Sequence, residues 1–403
     1  MLLLCCIAGQ FDVNGLLTLE TRAGQAPLDA DGVVRWGVVG IATPDLQGSY
    51  LSRTLDLRLD YAPRIFWREP NDLKTNRPLV LHVGNLALLG QFSRRFRVAA
   101  LANVSAGETD YTELSQVLGG PQQAAIPTVV DFLSITSGLA AEYDLSRLST
   151  FSTTLSYIHR RPLGAAANVV VVEPALVPFP RQTTYAVTPA LKRILSRTDE
   201  LTLSTILSYG TYSDGIVAYT VVPEALWRKH LSSRYDLRLG AGAAYAHISA
   251  LNLSSPVEPV GEAGLDMRLT NSGGSATTAS VTVRLDYFVD PVLRTAGPRG
   301  ALTMSLLSTL NPRWMVGAEG SYSTVFVGSN PASGIPRADE TAVFVTLPVR
   351  YRPNDHVQME FGFRYADRAP SVEVDAFGFH QRQLWLYYLL TGSTRRPTSR
   401  KVQ

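Results

Sequence analysis

Charged side chains recur at every second position in several segments of the chain, with apolar side chains between them. In one such segment Asp56, Arg58 and Asp60 alternate with leucines. Successive side chains of a β-strand point to opposite faces, so this spacing gathers carboxylates and guanidinium groups on one face. Most of them are expected to pair with one another, which leaves a minority for contact with a polar ligand. The residues of this kind are Asp56, Arg58, Asp60, Asp236, Arg238, Glu262, Asp266, Arg268, Arg284, Asp286, Glu360 and Arg364.

The residue types needed for catalysis or metal binding are present but scattered. The six histidines fall one to a strand or turn, at 82, 159, 230, 247, 356 and 380. No Gly-x-Ser-x-Gly, His-Glu-x-x-His or phosphate-binding glycine loop occurs. Both cysteines, Cys5 and Cys6, lie in the first six residues, so the rest of the chain has no disulfide or thiolate metal site. We therefore predict no catalytic, cofactor or metal residues and no enzymatic activity.

Composition narrows the class of protein. The chain has 403 residues, of which 45% are hydrophobic and 18% charged, with a formal net charge of +3. Soluble domains carry about a quarter charged residues. The near balance of charge excludes a strongly basic nucleic-acid binder and an acidic disordered tail. No segment has the roughly 20 apolar residues of a membrane-spanning helix.

The first ten residues differ from the rest of the chain. The segment 1–9, Met-Leu-Leu-Leu-Cys-Cys-Ile-Ala-Gly, resembles the apolar core of an export signal but has no basic leader. We interpret residues 1–10 as the remnant of a signal whose true start codon lies upstream, and a buried first strand is the alternative. Residues 11–391 are predicted to form one domain, and residues 392–403 a basic tail.

The strongest signal in the sequence is alternation with a period of two. In the segment 356–365, Val357, Met359, Phe361, Phe363 and Tyr365 occupy one face and polar residues or glycine the other. The predicted strands are about 11 to 14 residues long, whereas soluble strands average 5 or 6. Membrane-spanning strands need about 9 to 11 residues. The alternation therefore favours a transmembrane sheet over the alternative of a soluble sandwich.

Short polar turns and longer connections divide the chain. Turns near 93–95, 146–147, 196–199, 229–233, 271–274, 311–313 and 352–355 alternate with longer segments at 107–127, 161–181, 326–339 and 366–377. Short turns at one end and longer loops at the other are typical of outer-membrane barrels. A propeller is the alternative for a repeat near 40 residues, but each repeat here holds two long strands. Eighteen strands are predicted, with sixteen as the alternative, at 11–22, 32–43, 49–62, 79–91, 95–107, 128–143, 149–160, 182–195, 200–213, 216–228, 234–248, 257–270, 276–289, 299–310, 314–327, 340–351, 356–367 and 379–391.

Tyrosines are predicted to form belts at the strand ends. Tyr235 and Tyr245 lie ten residues apart on one strand, which at a tilt near 40° corresponds to about 25 Å along the membrane normal, the height of the apolar band. The other tyrosines near strand ends on the apolar face are Tyr61, Tyr143, Tyr157, Tyr209, Tyr287, Tyr322, Tyr351 and Tyr365.

A sheet in lipid must close, because every backbone polar group has to be paired within the protein. We therefore predict an all-β, closed antiparallel transmembrane barrel. Barrels of 16–18 strands enclose an aqueous channel, so the twelve charged residues named above are predicted to line a pore. Glu262 is expected to lie opposite Arg284. The arginines of the short turns, Arg94, Arg95, Arg147, Arg197, Arg313 and Arg352, are predicted to form a periplasmic rim.

These strands, the tyrosine belts and the Asn-Pro-Arg (311–313) and Arg-Pro-Asn-Asp (352–355) turns resemble those of a Gram-negative outer-membrane β-barrel. Within that class the chain is similar to the eighteen-stranded barrels of composite polysaccharide-export translocons, through strand number and the lack of a plug domain. That resemblance implies export of a polysaccharide through the lumen with a periplasmic export protein as partner, in contact with the lipid bilayer and lipopolysaccharide and without nucleic acid. Such barrels end in an aromatic residue, whereas here about fifteen residues follow Tyr388.

Two other functions stay open from sequence alone. A general diffusion porin or solute channel would use the same wall, with the segments 107–127 or 161–181 folded into the lumen. An outer-membrane hydrolase would place serine, histidine and aspartate together near the outer rim.

Overall fold

The computed structural model describes most of the chain. The described residues are 10–25, 36–69, 77–110, 129–163, 169–172, 175–178, 181–212, 215, 217–249, 253–254, 257–270, 275–290, 295–325, 340–370 and 381–394. Residues 1–9 of the predicted signal remnant (1–10), the tail from 395 onwards and most of the predicted long connections lie outside them, and Gln10 is the first residue of a strand. No helix in this part of the chain is long and apolar enough to cross a bilayer.

Twenty-two strand segments make up the described structure. β3 and β4 are two halves of one strand, β9 and β10 form a separate hairpin, and β15 has two residues, so eighteen strands form the wall. The segments are β1 Gln10–Gln25, β2 Trp36–Leu51, β3 Leu55–Tyr61, β4 Arg64–Glu69, β5 Leu79–Gln91, β6 Phe96–Asp110, β7 Val129–Asp144, β8 Ser149–Pro162, β9 Val169–Val172, β10 Ala175–Pro178, β11 Gln182–Ile194, β12 Asp199–Tyr212, β13 Val217–His230, β14 Tyr235–Ile248, β15 Leu253–Ser254, β16 Glu258–Thr270, β17 Ala276–Asp290, β18 Thr295–Thr309, β19 Trp314–Val325, β20 Glu340–Tyr351, β21 Val357–Pro370 and β22 Gln381–Ser393.

Each wall strand pairs antiparallel with the next one in sequence, and β1 pairs with β22 to close the ring. The closing ladder runs from Leu16 opposite Ser393 to Gln25 opposite Leu384. Beyond it the backbone N–H of Gly15 donates to the hydroxyl of Thr394 at 3.0 Å. The sheet thus has no free edge, which is what a lipid environment demands of a β-structure. The predicted closed antiparallel barrel of eighteen strands is confirmed, and sixteen is wrong.

The second and third strands are longer and placed differently from the prediction. The predicted strands 32–43 and 49–62 are in fact β2 (Trp36–Leu51) and the interrupted pair β3–β4, which reaches Glu69. Pro44 lies within β2, and Pro63 separates β3 from β4 without changing the register against β2. Proline lacks only one N–H, so a strand can continue past it where that donor is not needed. The turn between β2 and β3, at 52–54, was missed.

The outer and inner faces of the wall are distinguished by packing. Val39, Ile41, Phe66, Leu79 and Trp385 form one buried cluster, although they come from strands that are not all neighbours. Only the concave side of a barrel brings side chains of separated strands together, so these residues face inward. Residues of opposite parity face outward, among them large apolar side chains that are 39–68% exposed: Phe11, Val13, Leu59, Leu203, Val283, Met304, Phe361 and Leu386.

Aromatic residues gather near both ends of the outward face. Tyr157, Tyr185, Tyr209 and Tyr219 lie directly opposite one another on β8, β11, β12 and β13. At the other end the rings of Trp314 and Tyr351 are 4.5 Å apart. The predicted tyrosines all fall on this face by strand register. Aromatic girdles at both interfaces are the mark of a barrel that spans a membrane.

The two ends of the barrel differ. Both termini of the wall and the described turns at 52–54, 92–95, 145–148, 195–198, 231–234, 310–313 and 352–356 are at one end, the short-turn end. The opposite end is the loop end, where the connections lie largely outside the described residues. In bacterial outer-membrane barrels the short turns face the periplasm. On this rule we expect the loop end to face the outside of the cell.

Candidate functional site

The inner wall of the barrel is the candidate functional site. All twelve predicted pore-lining residues have inward register, from Asp56, Arg58 and Asp60 on β3 to Glu360 and Arg364 on β21. That placement follows from alternation alone, because β-strands leave no other position for them. Whether they contact a transported solute stays a prediction.

The most connected group of charges lies on β14 and β16. Arg238 is 3.2 Å from Asp266 and 3.9 Å from Glu262, and Arg268 is 3.6 Å from Asp236. Asp236 and Asp266 are direct cross-strand partners. Two carboxylates facing each other would repel. Arg238 and Arg268 offset that repulsion, so the stability of this part of the wall depends on these two arginines.

Other inward charges also form compact pairs. Arg350 on β20 donates to Glu360 on β21 at 2.6 and 2.9 Å, and the Tyr387 hydroxyl donates to the same carboxylate at 3.0 Å. Arg299 donates to both carboxylate oxygens of Asp286, at 2.7 and 2.9 Å. Two-pronged arginine–carboxylate pairs hold their geometry better than single contacts. These pairs fix the wall and reduce the charge it presents to the lumen.

The predicted register of Glu262 opposite Arg284 is confirmed. The two side chains do not form the expected ion pair. Arg284 instead lies 3.9 Å from Asp286 on its own strand, and the nearest cation to Glu262 is Arg238. Each of the two side chains therefore has another partner: Asp286 on the same strand for Arg284, and Arg238 on the neighbouring strand for Glu262.

Two of the twelve residues make no ion pair with any described residue. Asp60 is one, and its cross-strand neighbours are Gln47 and Asn85. Arg364 is the other, and its guanidinium lies 5.1 Å from the ring centre of Tyr387 and 5.9 Å from that of Phe344. These two charges are left without an ion pair among the described residues, and the Nε of Arg364 is buried.

An apolar cluster lines the lumen at the loop end, and sequence reasoning missed it. Val39, Ile41, Phe66, Leu79 and Trp385 face inward yet are only 2–6% exposed. Side chains facing an open aqueous lumen would be more exposed, so the interior is filled in front of them. The sequence carried a signal, because alternation fails at 38–41 and again at 384–390, where both faces are apolar. The wall is therefore lined by charged groups towards the short-turn end, and the interior is filled at the level of the apolar cluster towards the loop end.

Two buried ion pairs accompany the apolar cluster and were also missed. Arg22 donates to Glu20 at 2.6 Å on β1, and Arg68 on β4 lies 3.4 Å from Asp110 on β6. The side chains of Arg68 and Asp110 are 2% and 1% exposed. Breaking a buried pair leaves an uncompensated charge and is strongly destabilising. The Arg68–Asp110 pair links β4 to β6 at the level of the apolar cluster, whereas the Arg22–Glu20 pair lies within β1.

The six predicted rim arginines, Arg94, Arg95, Arg147, Arg197, Arg313 and Arg352, are exposed in the short turns. All but Arg352, which donates to Gln358 at 3.2 Å, form no side-chain contact with a described residue. This set is called the arginine rim below. Its assignment to the periplasmic side follows from the turn lengths, and its role stays a prediction.

One carboxylate at the short-turn end, that of Asp199, has a lowered pKa. Asp199 begins β12, beyond the membrane-spanning part of the strand, and accepts hydrogen bonds from the hydroxyls of Ser196 at 2.5 Å and Thr198 at 2.8 Å. These bonds, first that from Ser196, hold the pKa of Asp199 below its usual value. The turn at 195–198 is therefore best ordered while Asp199 is ionised.

The histidines do not form a hydrolase site in the part of the chain that is described. His82 bonds to Tyr61, His159 to Thr183 and His230 to Asp236, and none of them contacts both a serine hydroxyl and a carboxylate. His380 lies outside the described residues. No group of three potential metal ligands occurs among the described residues.

A closed wall of eighteen long strands, apolar and girdled by aromatic residues outside and charged inside, defines a Gram-negative outer-membrane β-barrel. Solved structures with a similar fold include OpdO from Pseudomonas aeruginosa, at 12% identity over 95% of this chain and 97% of that one, with a TM-score of 0.46. The siderophore receptor PirA from Acinetobacter baumannii matches at 11% identity over 95% and 80%, with a TM-score of 0.48. The outer membrane protein OpdK from Pseudomonas aeruginosa matches at 11% over 94% and 99%, with a TM-score of 0.42. Likeness at these levels carries no argument about cargo. No family model and no curated protein matches the chain.

Proposed function

We propose that the protein is a passive channel for small hydrophilic solutes across the outer membrane. The observation that carries the proposal is the inner wall, which combines mutually paired charges of both signs with an apolar narrowing at one level. Paired charges give a polar surface without a strong field of one sign, which suits solutes of mixed character. Eighteen strands enclose more space than side chains alone can fill.

The apolar cluster sets the expected size limit of the channel. Phe66 and Trp385 are its largest members and face the lumen from strands on either side of the closing ladder. Removing one of these rings is expected to loosen the filled region in front of the cluster, and at Trp385 the change lies directly opposite Arg364 of the charged wall. The size of the pore is therefore expected to respond to substitution here.

The test is conductance of the purified protein in planar bilayers. Wild type is expected to give a steady single-channel current, and Trp385→Ala a larger one. Leu386→Ala is the matched control, because Leu386 is the next residue on the same strand but faces outward and is 64% exposed. A wild-type protein that is folded, inserted and silent would overturn the proposal.

Polysaccharide export with a periplasmic export protein is the second candidate. The feature in its favour is the arginine rim, an exposed cationic surface at the end that faces the periplasm. Deletion of the gene distinguishes the two functions. Loss of surface polysaccharide with normal uptake of small solutes supports export, whereas reduced uptake with intact polysaccharide supports the solute channel.

A further inference from the structure

The outward face of β8 and β11 carries an unusual series of side chains that runs from the middle of the barrel to the loop end. Two rows of the sheet run across β6, β7, β8 and β11 with small side chains at Ala100, Ala102 and Ser137. Larger residues, including Leu155 and Tyr185, stand beside them. The result is a groove of about 460 Å³ on the lipid-facing surface, and its lining is mainly apolar.

The upper end of the groove is bounded by aromatic residues. The rings of Tyr157 and Tyr185 are 5.2 Å apart. His159 stacks parallel to Tyr157, with ring centres 6.3 Å apart, and its Nδ1 is 2.9 Å from the hydroxyl of Thr183. Tyrosine with a polar tip and an apolar body belongs at the level where hydrocarbon meets headgroups.

Cationic groups follow directly above the aromatic residues. Arg160 pairs with Gln182, so the next residues along each strand, Arg161 and Arg181, are brought to the same edge of the outward face, and both are exposed. Arg161 lies about 13 Å along the strand above Tyr157. The nearest acidic position on this face is Asp131, two residues along β7 from Leu133, the cross-strand partner of Arg161. Guanidinium groups at headgroup depth match phosphate in charge and geometry.

We infer that this face binds one molecule of the phosphorylated glycolipid of the outer leaflet. Arg161 and His159 meet its phosphate, the tyrosine pair lies against the sugar, and the groove receives an acyl chain. The loop end lies in the outer leaflet, which in Gram-negative bacteria is built from lipopolysaccharide. The order of cation, aromatic ring and apolar groove along the membrane normal is the order of phosphate, sugar and acyl chain in such a lipid.

The test is titration of the delipidated barrel in detergent with lipid A, followed by native mass spectrometry. Wild type is expected to retain one tightly bound molecule. Arg161→Ala, which removes the phosphate contact, and Ala102→Leu, which fills the groove floor, are each expected to weaken binding at least tenfold. Arg193→Ala is the matched control for Arg161→Ala. Arg193 lies on β11, the strand next to that of Arg161, and is also outward and exposed, but it is at the short-turn end. Ala318→Leu, outward on β19 between Leu306 and Leu347, is the control for the second.

Further arms separate the parts of the site. Dephosphorylated lipid A should bind wild type as weakly as lipid A binds Arg161→Ala, and equal binding of the two lipids would overturn the phosphate contact. Equally tight binding of phosphatidylglycerol would overturn the assignment to a glycolipid. Retention of lipid A by both Arg161→Ala and Ala102→Leu would overturn the site altogether. Each variant is first shown to be folded by its heat-dependent shift in gel mobility.

Discussion

At the scale of single residues, the wall depends on which carboxylate each arginine reaches. Arg238 reaches two acids on β16, while Arg284 turns to Asp286 instead of its cross-strand partner Glu262. The inward position of these residues could be predicted from alternation, since parity alone fixes the face. Their partners could not, because long side chains choose among several acids within about 4 Å.

Arg238→Ala is expected to shift the ion preference of the channel towards cations. The substitution leaves Asp266 and Glu262 without their shared guanidinium, which makes the local wall more negative. The permeability ratio of cation to anion, measured from the reversal potential in a KCl gradient, should rise about two- to fivefold, a free-energy change of order 0.4–1 kcal/mol. Arg238→Lys keeps the charge and should stay near wild type. An unchanged ratio in Arg238→Ala would show that this cluster does not meet the permeating ions.

At the scale of strands, length, register and alternation were accessible from the sequence, and interruptions were less so. Pro44 and Pro63 look like strand ends, yet the strands continue past them because the register on the neighbouring strand holds. The inward apolar cluster around Trp385 could not be predicted from the sequence for a related reason. A strand that packs both faces loses its alternation, so β22 reads as an ambiguous apolar run when it is in fact the seam strand with Trp385 and Tyr387 inside.

The seam between β1 and β22 leaves no space at Gly24. A Cβ atom there would lie 1.9 Å from the backbone oxygen of Leu384, whereas one at Gly15 on the same strand would meet nothing closer than 3.5 Å. Gly24→Ala is expected to force the strands apart and destabilise the barrel by roughly 2 kcal/mol or more, because the added Cβ clashes with backbone atoms that cannot rotate away. Gly15→Ala should stay within about 0.5 kcal/mol of wild type. Urea unfolding in lipid vesicles measures both, and equal stability of the two variants would contradict the seam geometry.

At the scale of the whole molecule, the barrel is an inverted soluble protein, apolar outside and charged inside. The prediction from alternation held because lipid and lumen impose opposite demands on successive residues. The overall closure also followed from sequence, since an even number of long strands has no other stable arrangement in hydrocarbon.

Adjacent residues on β18 test this inversion. Met304 faces outward and is 51% exposed, and Thr303 faces the lumen. Met304→Arg puts a charge in hydrocarbon and is expected to cost about 2–4 kcal/mol of stability in vesicles. Thr303→Arg puts the same charge in water and should cost less than about 1 kcal/mol. The reverse order, measured by denaturant titration in vesicles, would show that the faces are assigned the wrong way round.

The hydrogen bond between Gly15 and Thr394 spans 379 positions of the chain. This contact and the ladder between β1 and β22 cannot form until the last strand is available, so one edge of β1 stays unpaired until then, while its other edge can pair with β2. Ordering so large a loop is slow and exposes apolar edges in the meantime. We therefore expect the chain to need a chaperone that keeps it unfolded in the periplasm. We also expect it to need an insertion machinery that pairs β1 with β22 in the last step of assembly.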